Sequence, residues 1–410
     1  MEPLPLWLHR IRRLPGTPLM HDPLSWISDE LSVLDERGLA RTRRSVTPLA
    51  DAWCELSGKR LRNFATNDYL NLAHDPRLIK ADRSVAASAG CGARASALVA
   101  GRTGWHTRLE TKLAQFEHQE AAILFPTGYA ANSGTISAIV SRGDVVFSDR
   151  LNHASLIDGC RLSRAETRVY PHGDLAALQR ELKAASQARR RLIVTDAVFS
   201  MDADLAPLVE LCDLAERHES MLLIDEAHAT GVFGEKGRGV AELKGIEERG
   251  AIRVGTLSKA VGAMGGFVAG PQKLIDWLWN RARTQMFSTA LPPAVCAAAA
   301  EGIEIIQREP WRRERLLTLS DRLRSQLQDR GVESVPQSVG PIVPVVLNSA
   351  RAAIATAECL ERAGFLVGAI RPPTVPEGTS RLRITLTCGH REEDVDELAG
   401  ALAAALRKAG

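Results

Sequence analysis

The chain has 410 residues, 45% of them hydrophobic and 25% charged, with a formal net charge of +3. That length is enough for one large and one small domain around a substantial core, and the near balance of charge excludes a strongly basic nucleic-acid or membrane-surface protein. No apolar run approaches the ~20 residues of a membrane span, and seven scattered cysteines without a C-x-x-C pair exclude a disulfide framework or zinc site and imply a reduced, cytosolic compartment.

The chain begins MEPLPLWLHRIRRLPG, which mixes charge and proline and lacks the apolar core of a secretory signal. It reads as a frayed terminus or as an extension with a role of its own. Residues 1–60 as a whole read as a peripheral helical arm. From about residue 120 to 270, short apolar runs alternate with helical patterns. AAILF (121–125), DVVFS (144–148), RLIVTDA (191–197), MLLIDEA (221–227) and RVGTLS (253–258) are the predicted strands. Their apolar character is continuous rather than alternating, which suits strands covered on both faces, hence a mostly parallel sheet flanked by helices. DLAALQRELKAASQARR and APLVELCDLAERHE are helical patterns between them. Further on, PWRRERLLTLSDRLRSQLQDRG predicts a long amphipathic helix. PIVPVVL and RLRITLT predict strands, and AAIATAECLERAG and REEDVDELAGALAAALRKAG predict helices. This alternation predicts a smaller α/β domain from about 302 onward.

In open parallel sheets, ligands bind at the carboxyl ends of the strands, so the residues just after each predicted strand are the candidates. Thr127, Gly128 and Tyr129 open a helix after the first strand, a phosphate seat or equally a capped helix start. His153 follows the second among small and polar residues, where an isolated histidine is more often a surface or core group. Ser200 and Asp202 follow the third. Asp225 ends the fourth, where an acid is costly unless it meets a cation or several donors, and His228 lies three residues on. Thr256, Ser258 and Lys259 follow the fifth, with the small residues Ala260, Gly262, Ala263, Gly265 and Gly266 close behind. Together these residues offer what pyridoxal phosphate needs. Its phosphate takes helix-end donors, its ring nitrogen takes an acid, and its aldehyde takes a lysine that must later swing aside.

The stretches DEAHATGVFGEKGRG, TLSKAVGAMGG, FSDRLNHASLIDG, VFSMDADLAPL and NDYLNL resemble the α-oxoamine synthases, a group within the fold-type I pyridoxal phosphate transferases. The likeness runs from about residue 30 to the end. It implies an α/β architecture in which a large cofactor-binding domain (61–301), with a mostly parallel seven-stranded sheet flanked by helices, follows the arm (1–60) and precedes a small C-terminal α/β domain (302–410). The family joins an amino acid to an acyl thioester with loss of carbon dioxide. The segment AIRPPTVPEGTSRLRITLT (369–387) resembles the biotin-pathway branch, which uses L-alanine and a pimeloyl thioester of coenzyme A or acyl carrier protein. The alternative is a sister reaction such as that of a glycine C-acetyltransferase. A non-catalytic regulator with the same fold would carry an appended DNA-binding module, and the chain has no spare ~60 residues for one.

For single residues, the resemblance implies that Lys259 binds the cofactor aldehyde and acts as the base, and that His153 stacks on the ring. It gives Asp225 the ring nitrogen, and His228 and Ser200 the ring-oxygen side. Gly128, Tyr129 and Thr256 hold the phosphate. Arg383 binds the amino acid carboxylate, a task suited to a forked guanidinium, Thr374 lines the acyl site, and Arg41 matches an N-terminal substrate-binding arginine. Ser288 and Thr289 are expected to reach the phosphate of a partner subunit in a homodimer. Ala95 and Ala97 stand where glycines are common in the family, which alters the expected substrate pocket there.

Overall fold

The computed structural model describes residues 22–333 and 338–409, so the opening stretch discussed above lies outside the described residues. The described residues up to Arg43 form one unit by themselves, in which the helix Trp26–Glu36 is followed by Arg41. The chain from Arg44 onward forms a second compact unit and holds every strand among the described residues.

In chain order the strands are β1 Val46–Pro48, β2 Trp53–Leu56, β3 Lys59–Phe64, β4 Ala121–Phe125, β5 Val145–Asp149, β6 Glu166–Tyr170 and β7 Arg191–Asp196. They continue with β8 Met221–Asp225, β9 Ile252–Thr256, β10 Gly266–Gly270, β11 Ile342–Asn348, β12 Phe365–Ile370 and β13 Ser380–Thr385. Seven form one sheet in the order β4-β10-β9-β8-β7-β5-β6. The neighbours from β9 to β6 run parallel, and β10 runs antiparallel between β4 and β9. The family's mostly parallel seven-stranded sheet is therefore present. Both faces are apolar because both are covered. Ile123, Phe125, Val146, Leu223 and Val254 pack on one side, and Ala122, Leu124, Phe147, Ile224 and Phe267 on the other.

The seven strands anticipated from apolar runs are all there, while six others, β1, β2, β3, β6, β10 and β12, lacked that signature. β6 (ETRVY) is an edge strand whose residues are mostly exposed or half-buried. β10 (GFVAG) has glycine at both ends, which conceals a fully buried strand. β12 (FLVGAI) is mostly half-buried.

The second sheet corrects the expected division of the chain. Its order is β1-β2-β3-β12-β13-β11, so strands from near the amino end join those from the carboxyl end, with β3 parallel to β12. The expectation of a helical arm over 1–60 is therefore wrong from residue 46. There β2 and β3 form a hairpin around Ser57 and Gly58, both at positive φ (53° and 75°), as a two-residue type I′ turn requires. Nor does the packing break at 302. The helix Pro293–Arg308 spans that point and packs against the helices Pro76–Ala89 and Gly104–Phe116. Gly302 sits at its closest approach to the segment after Lys259, since a Cβ there would lie 2.4 Å from the Val261 carbonyl oxygen. Among the described residues no helix is long and apolar enough to cross a membrane.

Candidate active site

The carboxyl ends of β4, β5, β7, β8 and β9 deliver the predicted residues to one edge of the large sheet. Thr127 caps the helix Gly128–Ile139, its hydroxyl accepting the Ala130 N–H at 3.0 Å. Gly128 is tightly placed, because a Cβ there would lie 3.2 Å from the Thr256 Cβ. The free helix N–H groups and the Thr256 hydroxyl therefore meet where β4 and β9 end. Thr256 is buried and bonded to the Ser258 hydroxyl (2.8 Å) and the Gly265 carbonyl (3.0 Å). Gly266 lets β10 start beside them, as a Cβ there would strike the Thr127 carbonyl at 2.5 Å. Tyr129 is exposed and its hydroxyl donates to Asp158.

Asp225 is 4% exposed, and no described Lys, Arg or His forms an ion pair with it. Its Oδ1 accepts the Ala227 N–H at 2.8 Å and its Oδ2 accepts an Asn132 side-chain N–H at 2.6 Å. A buried carboxylate held by two neutral donors is still short of a cation. A protonated pyridine nitrogen supplies one, so the donor set fits pyridoxal phosphate at this point.

Lys259 is half-buried, and its Nζ lies 2.8 Å from His228 Nε2. Desolvation, with Arg383 nearby, lowers its ammonium to about 8, against the opposing pull of Asp225 and Asp196. His228 is buried, and burial first, then Lys259, Arg383 and His153, push it well below the usual imidazole range. A neutral His228 accepts from Lys259 at Nε2, and its Nδ1 lies 2.6 Å from the Tyr69 hydroxyl. Tyr69 in turn donates to Asn67 Oδ1 at 3.3 Å. Arg383 comes to the same place from β13. Its Nε donates to the Ser200 carbonyl at 2.7 Å, and its Nη1 to Asn67 Oδ1 (3.1 Å) and Thr385 Oγ1 (3.0 Å).

His153 is exposed at the start of the helix Ala154–Ser163. Its backbone N–H donates to Asp196 Oδ2 at 2.7 Å, and its Nδ1 lies 2.8 Å from Ser155 Oγ. Desolvation of the ring by the groups packed beside it, and then Lys259, lower its pKa, while Asp225 opposes them. Asp196 is directly opposite Asp225 in the β7–β8 register, and burial beside that second acid raises its pKa well above the usual carboxylate range.

The structure thus brings together Gly128, His153, Ser200, Asp225, His228, Thr256, Lys259 and Arg383. Ser200 takes part through its backbone carbonyl. Thr289 lies apart from that group, bridged to Ser96, with the Ala290 N–H donating to the Ala95 carbonyl at 3.1 Å. Thr374 is exposed in the loop after β12, its N–H on the Arg371 carbonyl at 3.1 Å. Arg41 belongs to the separate first unit. Sequence reading missed Asn132, Asp196, Tyr69 and Asn67. Asn132 had a usable signal, since it stands four residues after Gly128 and so shares its helix face. Tyr69 and Asn67 reach the site only through the long-range fold, although both lie in the quoted NDYLNL.

Residues 59–402 match the family described as aminotransferase class I and II. An 8-amino-7-oxononanoate synthase of Anaeromyxobacter dehalogenans (strain 2CP-1) is 48% identical over 383 residues, covering 93% of this chain and 96% of the relative. A serine palmitoyltransferase from S. paucimobilis, solved with a bound PLP–myriocin aldimine, superposes with a TM-score of 0.89 at 31% identity, covering 94% of this chain and 98% of that one. An 8-amino-7-oxononanoate synthase from Francisella tularensis superposes with a TM-score of 0.74 at 28% identity, covering 85% of this chain and 98% of that one.

Proposed function

Because this chain belongs to the aminotransferase class I and II family, and within it to the 8-amino-7-oxononanoate synthases, we propose that it condenses L-alanine with a pimeloyl thioester of coenzyme A or acyl carrier protein. The products are 8-amino-7-oxononanoate, carbon dioxide and the free thiol, in biotin biosynthesis. The enzyme is a pyridoxal phosphate-dependent acyltransferase. The single observation that carries the choice is the 48% identity over nearly the whole chain. The higher TM-score of the serine palmitoyltransferase reflects a shared fold at only 31% identity, and fold alone does not set the substrate.

Pyridoxal phosphate, when bound, supplies an aldehyde that captures the amino acid and an electron-poor ring that stabilises charge at its Cα. We assign the phosphate to the first turn of the helix Gly128–Ile139 with Thr256, the ring nitrogen to Asp225, and a ring face to His153. Lys259 carries the cofactor and then serves as the base. An ammonium near 8 leaves about a tenth of the lysine as free amine at neutral pH, against less than a thousandth for an ordinary lysine. Neutral His228 accepts a hydrogen bond from that ammonium, which places the proton-carrying nitrogen without adding a second positive charge. Arg383 is assigned to the alanine carboxylate. Its Nε and Nη1 are already fixed by Ser200, Asn67 and Thr385, so the fork is oriented in advance. In the net reaction Cα loses its proton to Lys259 and bonds to the thioester carbonyl carbon, the thiol leaves, carbon dioxide departs, and Cα regains a proton.

We further assign the working form to a cytoplasmic homodimer. The segment containing Leu98 and Val99 adjoins the one containing Phe287 through the Ser96–Thr289 bridge, and Val99 and Phe287 are 79% and 67% exposed. Apolar surface of that kind suits a subunit interface. The test of the reaction is to incubate the protein with L-alanine, glycine and L-serine together and each pimeloyl thioester in turn, and to identify the product by mass. A product containing glycine or serine in preference to alanine overturns the substrate assignment.

A further inference from the structure

Two polar side chains connect the acid at the end of β8 to the histidine after β5. Asn132, on the helix Gly128–Ile139, and Ser155, in the first turn of the helix Ala154–Ser163, are each 1% exposed. Gly159 brings these helices close, since a Cβ there would lie 2.8 Å from the Ile136 Cδ1 and 3.1 Å from the Ser133 Cα. Asn132 Nδ2 donates to Asp225 Oδ2 at 2.6 Å and to Ser155 Oγ at 2.9 Å. Ser155 Oγ is 2.8 Å from His153 Nδ1, and the Ser155 backbone N–H donates to the same Nδ1 at 3.3 Å.

The direction of each proton follows from the chemistry of the groups. Reversing the Asn132 amide would aim its carbonyl oxygen at a carboxylate, so both Nδ2 hydrogens point outward along the chain of bonds. Its Oδ1 is buried without a partner, which shows that the amide is held by its NH2 side alone. Having accepted from Asn132, the Ser155 hydroxyl has its own proton free for His153 Nδ1. A backbone N–H can only donate. Two donors converging on one ring nitrogen need a lone pair there, so the imidazole proton sits on Nε2.

We propose that Asn132 and Ser155 are positioning residues that hold His153 as the neutral Nε2–H tautomer and couple its orientation to the aim of Asp225. This rests on the reading of the site as one for pyridoxal phosphate. A neutral imidazole can stack on a ring whose nitrogen carries a proton, whereas an imidazolium there would be repelled. Desolvation of the ring and the neighbouring Lys259 disfavour the imidazolium in the same sense, against the pull of Asp225. The chain of bonds therefore sets the state of the stacking group and the anion under the ring nitrogen through one shared amide.

The test is long-range 1H–15N correlation on the holoenzyme with 15N-labelled histidine, His153 being assigned by the signals lost in His153→Gln. The expected result is a protonated Nε2 and an unprotonated Nδ1 in the unmodified protein. Ser155→Ala and Asn132→Ala should each shift His153 toward a mixture of tautomers. Asn132→Ala should also weaken pyridoxal phosphate binding roughly tenfold or more, read by equilibrium dialysis. A proton on Nδ1 in the unmodified holoenzyme, or an unchanged tautomer in both variants, overturns the inference. If the unmodified protein takes up no cofactor, as read by its absorbance, the reading of the site itself fails, which is a separate result from a bound cofactor with the wrong tautomer.

Discussion

Replacing Asp225 by asparagine probes the site with almost no change in volume. The acid accepts one hydrogen bond on each oxygen, from Ala227 N–H at 2.8 Å and from Asn132 at 2.6 Å. An amide in the same place must turn its NH2 toward one of these donors, leaving a buried pair of donors face to face. That costs the folded chain about 1–3 kcal/mol with or without the cofactor, while the lost charge-assisted bond to the ring nitrogen weakens cofactor binding itself by about 1.5–3 kcal/mol. About 3 kcal/mol corresponds to roughly 150-fold in an equilibrium or a rate. Asp225→Asn should therefore release pyridoxal phosphate on dialysis under conditions in which the unmodified protein retains it. It should also slow exchange of the alanine Cα proton in D2O, followed by 1H NMR, by about 100-fold or more. This exchange needs no thioester, so it isolates the proton-transfer step. Exchange and cofactor retention both within about threefold of the unmodified protein would refute the assignment of the ring nitrogen to Asp225.

Other outcomes follow from the same geometry. Lys259→Ala should abolish product formation, while pyridoxal phosphate still binds noncovalently; turnover without an added amine would remove the lysine's role. Lys259 is a base whose folded value, about 8, lies below its ordinary one. The unfolded chain thus holds the extra proton between those values, and apoprotein stability rises with pH across that window. Urea melts of the apoprotein against Lys259→Met should show the unmodified chain gaining about 2 kcal/mol between pH 7 and about pH 9.5, and a flat difference would count against desolvation of the amine. Gly302→Ala gains helix propensity yet drives a methyl group into the Val261 carbonyl; it should lower stability by about 1–3 kcal/mol and reduce turnover through the Lys259 segment, and a raised Tm would contradict the close contact. Val99→Asp and Phe287→Asp should yield monomers by light scattering with loss of activity, and unchanged dimers would move the interface elsewhere.

The strands that build the floor of the site were legible because both of their faces are covered, so β5 and β8 read as short apolar runs that close on Ser148-Asp149 and Asp225, and β9 as one broken only by Arg253 before Thr256. Lys259, Asp225 and His228 were legible for a related reason, since their chemistry is out of place next to such runs. β6 and β12 were not, because an edge or half-covered strand carries no continuous apolar signal. The hairpin at Ser57–Gly58 left a turn signature, but its strands are short and rich in charge. Asn132 and Ser155 look like ordinary small polar residues on helices, and only the contact of those helices at Gly159 gives them a shared purpose. Arg383 was found through its motif; of its fixing partners, Asn67 and Ser200 come from two distant regions of the chain, which no local pattern encodes.

The smaller sheet joins β3, from the first portion of the chain, to β12, from the last. During synthesis, β3 emerges from the ribosome long before its neighbour β12 exists, and by the time β12 is made every described strand of the large sheet is already outside. The residues assigned to the cofactor can thus come together while Arg383, to which we assign the amino acid carboxylate, is still untranslated. A nascent chain in that state already carries the coenzyme's side of the site and still lacks the substrate's.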